Sequence, residues 1–370
     1  MGSPLQSEPT LSVPREIGRG TILDRWRLPD GTLYLDNAAT RPMLPEVAEE
    51  MARLMANNPL NASSQHKYGQ KAARMLEDAR NFFKSELNVP STGELIFNSG
   101  ATEGLNMLLK SAYFADPAKN HIVTVKTEHK AVLNTCTYLE TIGAEITYLD
   151  VDEWGEISVL DIQAAIRSTT CAVVIMAVNN ETGVVSNVDA ISEVCLSSKT
   201  KYICDATQAI GKHQFDLSQP GFSAVVAGAH KIGGAVGTGL VAIQDSNLWA
   251  ATTQDYGGYS RTGFSGTKGV ALICAFMHAY RLFKCPTQND VRLALRELEN
   301  FVRLREFYPI DIKKSHLIVP VLLRPEDARL DHSNELVFSR GSACSSGVDR
   351  ISHVYQLLPV DASMVRRLSF

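Results

Sequence analysis

The sequence predicts an α/β protein with a mostly parallel sheet of seven strands and a smaller C-terminal domain. Seven short apolar runs, most of them separated by helical patterns, lie between residues 94 and 243, and long helical stretches replace that alternation after residue 268. The chain has 370 residues, of which 45% are hydrophobic and 21% charged, as in a globular protein of about two domains. We predict an N-terminal arm over 1–31, a large domain over 32–268 and a shortened small domain over 269–370.

The first predicted elements are an arm and two helices. Residues 1–31 mix Ser, Pro and Gly with balanced charges and show no clear period, which is typical of an arm or a partly ordered leader. Apolar residues then recur at helical spacing over 46–55 and 69–87, which predicts two amphipathic helices.

Strands and helices then alternate. Helical patterns such as 103–114 and 130–142 separate most of the strand-like runs, which favours parallel strands joined by helices. Ligands of such sheets gather outside the carboxyl ends of the strands, so the polar residues that follow each strand are the candidates for function. The predicted strands are 94–97, 121–124, 145–148, 171–178, 202–204, 224–227 and 240–243.

The small domain is predicted from a change of pattern. Helical spacing extends over 270–283 and 291–306, and a strand-like run follows at 317–323.

Charge and cysteine content narrow the class of protein. The 36 Lys+Arg and 40 Asp+Glu give a net charge of -4, which offers no reason to bind nucleic acid or an anionic membrane. No apolar stretch reaches the roughly 18 residues of a membrane span, and no export signal is evident. The number of cysteines, seven, is odd and most of them lie in apolar runs, so we expect no disulfide framework. They form no CxxC pair, so we expect no zinc site. A cytoplasmic protein with a small-molecule substrate is predicted.

A candidate phosphate site follows the first strand of the sheet. The segment Ser99-Gly100-Ala101-Thr102-Glu103 turns from a strand into a helix and leaves backbone N–H groups at the positive end of the helix dipole. An ordinary N-cap made by Ser99 or Thr102 explains the same residues equally well.

A lysine among small residues is a candidate for covalent chemistry. Lys231 follows an apolar strand, lies next to His230 and has glycines on both sides, which makes its amine easier to desolvate. A neutral amine can form a Schiff base with an aldehyde, and pyridoxal phosphate is the common aldehyde cofactor. The alternative is a lysine in a surface loop.

Asp205 is an acid directly after a short apolar strand, where an unpaired carboxylate is costly. A protonated pyridine nitrogen would serve as its partner, and a helix N-cap is the alternative. Two further polar clusters, residues 126–129 with His129 and residues 178–183, follow other strands.

Cys344 lies in a segment of small and polar residues, as an accessible nucleophile does. An incidental cysteine in a loop has the same surroundings.

In this order the motifs resemble those of the cysteine desulfurases, pyridoxal-phosphate enzymes of class V and fold type I. The resemblance runs from about residue 34 to the C-terminus, and the Gly-Ser-Ala-Cys form is similar to the long-loop subgroup. The matching motifs are YLDNAAT at 34–40, NASSQHKYG at 61–69, SGATE at 99–103, TEH at 127–129, NNETG at 179–183, DATQ at 205–208, HK at 230–231, SGT at 265–267 and GSAC at 341–344.

The resemblance implies a role for each residue around the cofactor ring. Lys231 would hold pyridoxal phosphate covalently, and Asp205 would pair with the ring nitrogen. His129 would stack on the ring and assist proton transfer. Gln208 would hydrogen-bond the ring hydroxyl, beside which Asn180 would lie next to the substrate.

It also implies the contacts of the phosphate and of the substrate. The start of the helix at Ala101 and Thr102 would hold the phosphate together with His230. Thr267 would reach the same phosphate from the other subunit of a homodimer. Arg367 matches the arginine that binds the substrate carboxylate, for which a bidentate guanidinium is suited.

The implied reaction converts L-cysteine to L-alanine and leaves a persulfide on Cys344. The sulfur would pass to an acceptor protein such as an iron–sulfur scaffold or a tRNA-thiolation protein. The sequence departs from the family pattern at Gly228, where a serine usually binds the phosphate, and at Phe264, where an arginine is common. Selenocysteine lyase or a related pyridoxal-phosphate enzyme, and a degenerate paralogue that binds or regulates a partner, therefore stay as alternatives.

Overall fold

The computed structural model describes residues 20–249, 266–299, 305–307, 317–322, 336–339, 352–360 and 364–370. The α-helices are α1 (Pro45–Asn57), α2 (Lys67–Glu86), α3 (Ala101–Ala115), α4 (Lys130–Glu140), α5 (Val159–Ala165), α6 (Val188–Ser197), α7 (Val270–Leu282) and α8 (Gln288–Glu299). The strands are β1 (Leu33–Tyr34), β2 (Glu94–Asn98), β3 (His121–Val125), β4 (Glu145–Leu149), β5 (Thr170–Val174), β6 (Lys201–Asp205), β7 (Ala224–Gly228), β8 (Gly239–Ile243), β9 (Arg305–Phe307), β10 (Ile318–Leu322), β11 (Leu336–Val337) and β12 (Val365–Ser369).

The seven predicted strands of the large sheet are confirmed. They form one sheet in the order β2-β8-β7-β6-β5-β3-β4. All neighbouring pairs are parallel except the two made by β8, which runs antiparallel to both β2 and β7. The first residue of β8 therefore lies at the same edge of the sheet as the carboxyl ends of β2 and β7.

Two predicted boundaries differ from the structure. The helical pattern over 291–306 corresponds to α8, whereas Arg305–Phe307 forms β9 and pairs with β10, because a strand ladder outweighs a weak helical period there. The predicted strand 171–178 has a regular ladder only to Val174; beyond it, the N–H groups of Ile175 and Ala177 still donate to carbonyls of the β6 strand.

Helices cover both faces of the large sheet, as buried parallel strands require. Phe83 of α2, Phe276 of α7 and Ile191 of α6 pack in one core cluster. Leu108 of α3 and Val132 of α4 pack in a second one, with the alternate residues of the same strands.

One glycine sets the position of α3 on the sheet. A Cβ at Gly104 would lie 2.7 Å from Cγ2 of Val241 and 2.9 Å from Cγ1 of Val226, closer than real side chains approach. The helix backbone therefore rests directly on β7 and β8. This contact brings the first turn of α3 to the carboxyl edge.

The C-terminal residues form two smaller sheets, β12-β10-β9 and β1-β11. A 3₁₀ helix at Ile22–Trp26, within the predicted arm, buries Leu23 and Trp26 in the same cluster as residues of α8 and β10. Asp36 forms a bridge with Ser369, so the segment after β1 lies beside β12. In the described parts of the chain, the helices are too short or too polar to cross a membrane.

Candidate cofactor and substrate site

Lys231 and Gln208 meet at one backbone carbonyl. Lys231 lies in a 3₁₀ helix, Ala229–Ile232, directly after β7, and its Nζ donates to the carbonyls of Ala38 at 2.6 Å and Ala39 at 2.7 Å. Nε2 of Gln208 donates to the same Ala38 carbonyl at 2.8 Å. The alternative of a lysine in a solvated surface loop does not fit this half-buried, hydrogen-bonded amine.

The local turn explains the glycines beside Lys231. Gly233 ends the 3₁₀ helix in the left-handed region at φ 80°, where side chains are strained. A Cβ at Gly233 would also lie 2.8 Å from Cγ of Leu44. The chain can therefore fold back closely enough to bring the lysine under the segment that contains Ala38.

Asp205 ends β6 and is 7% exposed. Its Oδ1 accepts the N–H of Thr207 at 2.9 Å, and the residues that follow form turns, so within the described residues Asp205 is not the N-cap of an α-helix. A buried carboxylate at the strand end is what a protonated ring nitrogen would need.

Glu128 is a second acid close to Asp205. It is 1% exposed, and its Oε1 accepts the N–H of Met176 at 2.6 Å. Burial, and next the charge of Asp205, raise the pKa of Glu128 well above its ordinary value. Glu128 therefore keeps its proton to a higher pH than an exposed glutamate does.

His129 is oriented by its place at the start of α4. It is the N-cap, and its Nδ1 accepts the backbone N–H of Ala131 at 3.1 Å. A ring nitrogen that accepts this bond carries no proton, so Nε2 carries the N–H in the neutral ring. His129 can therefore present a proton at a fixed atom.

The start of α3 is open to an anion. Gly100 is the N-cap and makes no side-chain cap, and Ser99 donates its N–H and its hydroxyl to Glu103 at 2.7 and 2.6 Å. Neither Ser99 nor Thr102 caps the helix, so the N–H groups of Ala101 and its neighbours in the first turn are free of a capping side chain. The predicted phosphate position is thus structurally available.

His230 supplies a neutral ring near this edge. Burial, and then the charge of Lys231, lower the pKa of His230 to about 4. The ring is therefore neutral at pH 7, with one N–H to donate. Gly228, the last residue of β7, pairs with Gly239 of β8 and precedes His230 by two positions.

Arg367 and Asn180 lie together. Arg367, in β12, is 1% exposed, and its Nη1 donates to the backbone carbonyl of Asn180 at 3.1 Å. Its Nη2 forms a salt bridge with Asp36. Its Nε is buried and has no hydrogen-bond partner in the described ranges, so one donor stays available to a substrate carboxylate.

Both described flanks of the segment that contains Cys344 are anchored at this site. On one side, Oγ of Ser339 donates to Oδ2 of Asp36 at 2.9 Å. On the other side, Ser352 donates to the carboxylate of Glu181, and Nε2 of His353 lies 3.2 Å from the carbonyl of Glu128. Cys344 itself lies outside the described residues.

Thr267 is exposed just before α7. Its predicted contact with a partner subunit stays a prediction, as does the role of each residue toward a bound cofactor. Phe264 lies outside the described residues.

The residues of the edge fit pyridoxal phosphate. The buried polar atoms that lack a partner in the part of the chain that is described include Nδ2 of Asn98, Oγ1 of Thr207, Oε1 of Gln208 and Oγ1 of Thr238. Asn98 and Thr238 lie where β2 meets β8, and Thr207 and Gln208 follow β6. Such atoms are costly unless a polar group meets them. Phosphate oxygens and a ring hydroxyl would do so.

Three residues that matter here had no assigned role in the sequence prediction: Asp36, Glu128 and Ser339. Asp36 and Glu128 belong to motifs of the resemblance, so those motifs were the available signal. Their partners could not be read from sequence, since Asp36 and Arg367 are 331 positions apart.

We expect Glu128→Gln to stabilise the protein at neutral pH. With its folded pKa above the ordinary 4.5, Glu128 loses its proton first in the unfolded chain, so stability falls as pH rises from about 4.5 toward the folded pKa. Glutamine does not ionise, and each unit of pKa difference corresponds to about 1.4 kcal/mol.

Denaturation midpoints between pH 4.5 and 8 measure this effect, with Glu193→Gln on the exposed surface as the control. The difference in denaturation midpoint between Glu128→Gln and the parent should increase with pH, whereas the difference between the control and the parent should not change. A difference that is independent of pH for Glu128→Gln would contradict the raised pKa of Glu128.

Known proteins share both the sequence pattern and the fold. The profile of the family described as Aminotransferase class-V matches residues 33–283. A cysteine desulfurase IscS of Vibrio vulnificus is 36% identical over 91% of this chain and 87% of its own length. A structure of SspA in complex with cysteine superposes with a TM-score of 0.81 at 27% identity, covering 91% of this chain and 98% of that one.

DndA from Streptomyces lividans superposes with a TM-score of 0.75 at 28% identity, over 91% of this chain and 99% of that one. The matched profile covers the whole seven-stranded sheet, and the match to the IscS of Vibrio vulnificus extends over nine-tenths of the chain. The chain belongs to the pyridoxal-phosphate-dependent class-V aminotransferase family, in its cysteine desulfurase group.

Proposed function

We propose that this protein is a cysteine desulfurase that converts L-cysteine to L-alanine and receives the sulfur as a persulfide on Cys344. The carbon–sulfur bond of cysteine breaks, a sulfur–sulfur bond to Cys344 forms, and the proton of the Cys344 thiol balances the new C–H bond of alanine. Similarity to the IscS of Vibrio vulnificus and to SspA, which was solved with cysteine, supports this substrate.

One observation of this chain supports the proposal: the segment with Cys344 starts beside Arg367, the residue that we propose binds the substrate carboxylate. Ser339 pairs with Arg367 and hydrogen-bonds Asp36, the salt-bridge partner of Arg367. Cys344 is five residues further on, and an extended chain spans at most about 3.6 Å per residue, so Cys344 lies within roughly 18 Å of Ser339. The thiol can therefore reach a cysteine held by Arg367.

Pyridoxal phosphate, when bound, supplies an electron sink for the carbanion formed at Cα of the substrate. Lys231 would hold the cofactor and then take the α-proton at Nζ, and Asp205 would keep the ring nitrogen protonated. His129 can hold or release a proton at Nε2. Gln208 has its Oε1 available for the ring hydroxyl.

The substrate carboxylate would bind between Arg367 and Asn180. The phosphate would lie at the start of α3, near Ala101, Thr102 and His230, and Thr267 would reach it from a second copy in a homodimer. The acceptor of the sulfur would be a protein such as an iron–sulfur scaffold in the cytoplasm.

Alanine formation from L-cysteine, with pyridoxal phosphate and a reductant present, tests the proposal. We expect Cys344→Ser to lose at least about a hundred-fold in rate, because serine cannot accept sulfur. Cys285→Ser is the matched control, since Cys285 is the one half-buried cysteine of the described residues and the others there are buried; it should keep the parent rate.

Mass spectrometry of the protein after one turnover without reductant should find one extra sulfur on Cys344. A cofactor-loaded parent that forms no alanine would overturn the proposal and favour the degenerate paralogue. A parent that releases selenium from selenocysteine but no sulfur from cysteine would favour the lyase.

A further inference from the structure

The carboxyl end of β7 has a glycine where its backbone does not require one. Gly228 has φ −116° and ψ 139°, an extended conformation that any residue adopts. A Cβ built at Gly228 would lie 3.3 and 3.4 Å from Cε1 and Nδ1 of His230 and 3.8 Å from Cγ2 of Thr207. His230 and Thr207 therefore border the small space that a side chain at position 228 would occupy and that glycine leaves without one.

Thr207 brings an unused hydroxyl to this space. Its backbone is fixed by the N–H bond to Oδ1 of Asp205 at 2.9 Å. Its Oγ1 is buried and, within the residues that the structure describes, has no hydrogen-bond partner. A rotation about χ1 moves Oγ1 to the position of Cγ2, which is the atom next to Gly228. The hydroxyl thus faces the space in the staggered conformation that this rotation produces.

The groups around this space are hydrogen-bond donors, so they favour a ligand that is a negatively charged acceptor. The neutral ring of His230 borders the space and has an N–H to donate. The start of α3 lies at the same edge, since a Cβ at Gly239 would lie 2.8 Å from Cα of Gly100. A hydroxyl, an imidazole N–H and helix N–H groups are all donors, and phosphate oxygens at neutral pH are acceptors.

We infer that the hydroxyl of Thr207 donates a hydrogen bond to the phosphate of the cofactor, at the place where Gly228 offers no side chain. This assignment rests on the cofactor of the proposed function, but it does not depend on turnover of cysteine. A hydrogen bond to a charged group of this kind changes affinity by about ten-fold to a hundred-fold.

Cofactor binding to protein stripped of pyridoxal phosphate tests the inference directly. Absorbance titration gives the dissociation constants of pyridoxal phosphate and of pyridoxal, which has the same ring and aldehyde but no phosphate. We expect Thr207→Val to weaken the binding of pyridoxal phosphate by about ten-fold to a hundred-fold and to leave the affinity for pyridoxal unchanged. We expect Thr207→Ser to bind both compounds as the parent does.

Thr200→Val is the matched control. Thr200 is also a buried threonine, but it directly precedes β6 and so lies at the amino end of that strand, at the opposite edge of the sheet from Gly228. We expect this variant to bind pyridoxal phosphate as the parent does. Equal losses of affinity in Thr207→Val and Thr200→Val would overturn the inference.

A second variant distinguishes the loss of a phosphate contact from a general effect on the structure. Gly228→Ser places a hydroxyl in the space itself, so the double variant with Thr207→Val should recover the affinity of the parent. If Gly228→Ser alone binds pyridoxal phosphate as the parent does and the double variant still binds it weakly, the inference is wrong. Equal losses of affinity for pyridoxal and pyridoxal phosphate in Thr207→Val, or no loss of affinity at all, would also overturn it. A parent protein that binds neither compound would count against the proposed function as well.

Discussion

Lys231→Ala is expected to abolish alanine formation, with a loss of at least about a thousand-fold. In the proposed function, Lys231 is both the amine that condenses with the aldehyde and the base that takes the α-proton, and the loss of each such role costs about a hundred-fold or more in rate. Lys231→Arg keeps a donor to the carbonyls of Ala38 and Ala39, but a guanidinium neither condenses nor gives up its proton at neutral pH. Both variants should be equally inactive.

The control for this prediction is Lys212→Ala. Burial and the charges of Arg41 and Lys231 lower the pKa of Lys212 to about 7, although Cys285 acts in the opposite direction. By its ionisation alone, Lys212 is therefore the rival amine. Borohydride reduction followed by peptide mass spectrometry should find the cofactor on Lys231 in the parent and in Lys212→Ala. Cofactor on Lys212, or turnover by Lys231→Ala, would contradict the assignment.

The part of the fold that local pattern controls could be predicted from sequence. Each strand of the large sheet is a short apolar run, and its polar end residue follows from where the run stops, as Asp205 does at the end of β6. Parallel pairing brings those ends to one edge, so the side chains after β3, β6 and β7 could be expected to share a site.

The part that depends on distant contacts could not be predicted. No local signal indicates that β12 lies next to the segment after β1, so the salt bridge between Asp36 and Arg367 is a result of tertiary structure. The raised pKa of Glu128 likewise depends on burial in the core and on how the fold places it near Asp205. The error at Arg305–Phe307 has the same cause, because pairing with β10 outweighs the helical period.

The second large effect is expected at Arg367. Arg367→Lys keeps the charge beside Asp36 but loses the planar guanidinium, whose Nε is the donor that neither Asp36 nor Asn180 occupies. We expect the KM for cysteine to rise by about a hundred-fold with a smaller change in kcat, since the contact is made in the bound substrate as well as in the transition state. Lysine is preferred to alanine here because removing one partner of a buried ion pair costs about 3–5 kcal/mol of stability.

Cysteamine, which is cysteine without its carboxylate, separates recognition from structure. If Arg367 binds the carboxylate, the inhibition constant of cysteamine stays the same in Arg367→Lys while the KM for cysteine rises. Equally weakened binding of both compounds would mean that Arg367 acts only by holding Asp36 and Ser339 in place.

Asp36→Asn makes the opposite change, because it frees the guanidinium of Arg367 from a competing carboxylate. The KM for cysteine should therefore fall or stay unchanged. A large rise in KM would mean that the salt bridge itself orients Arg367 for the substrate.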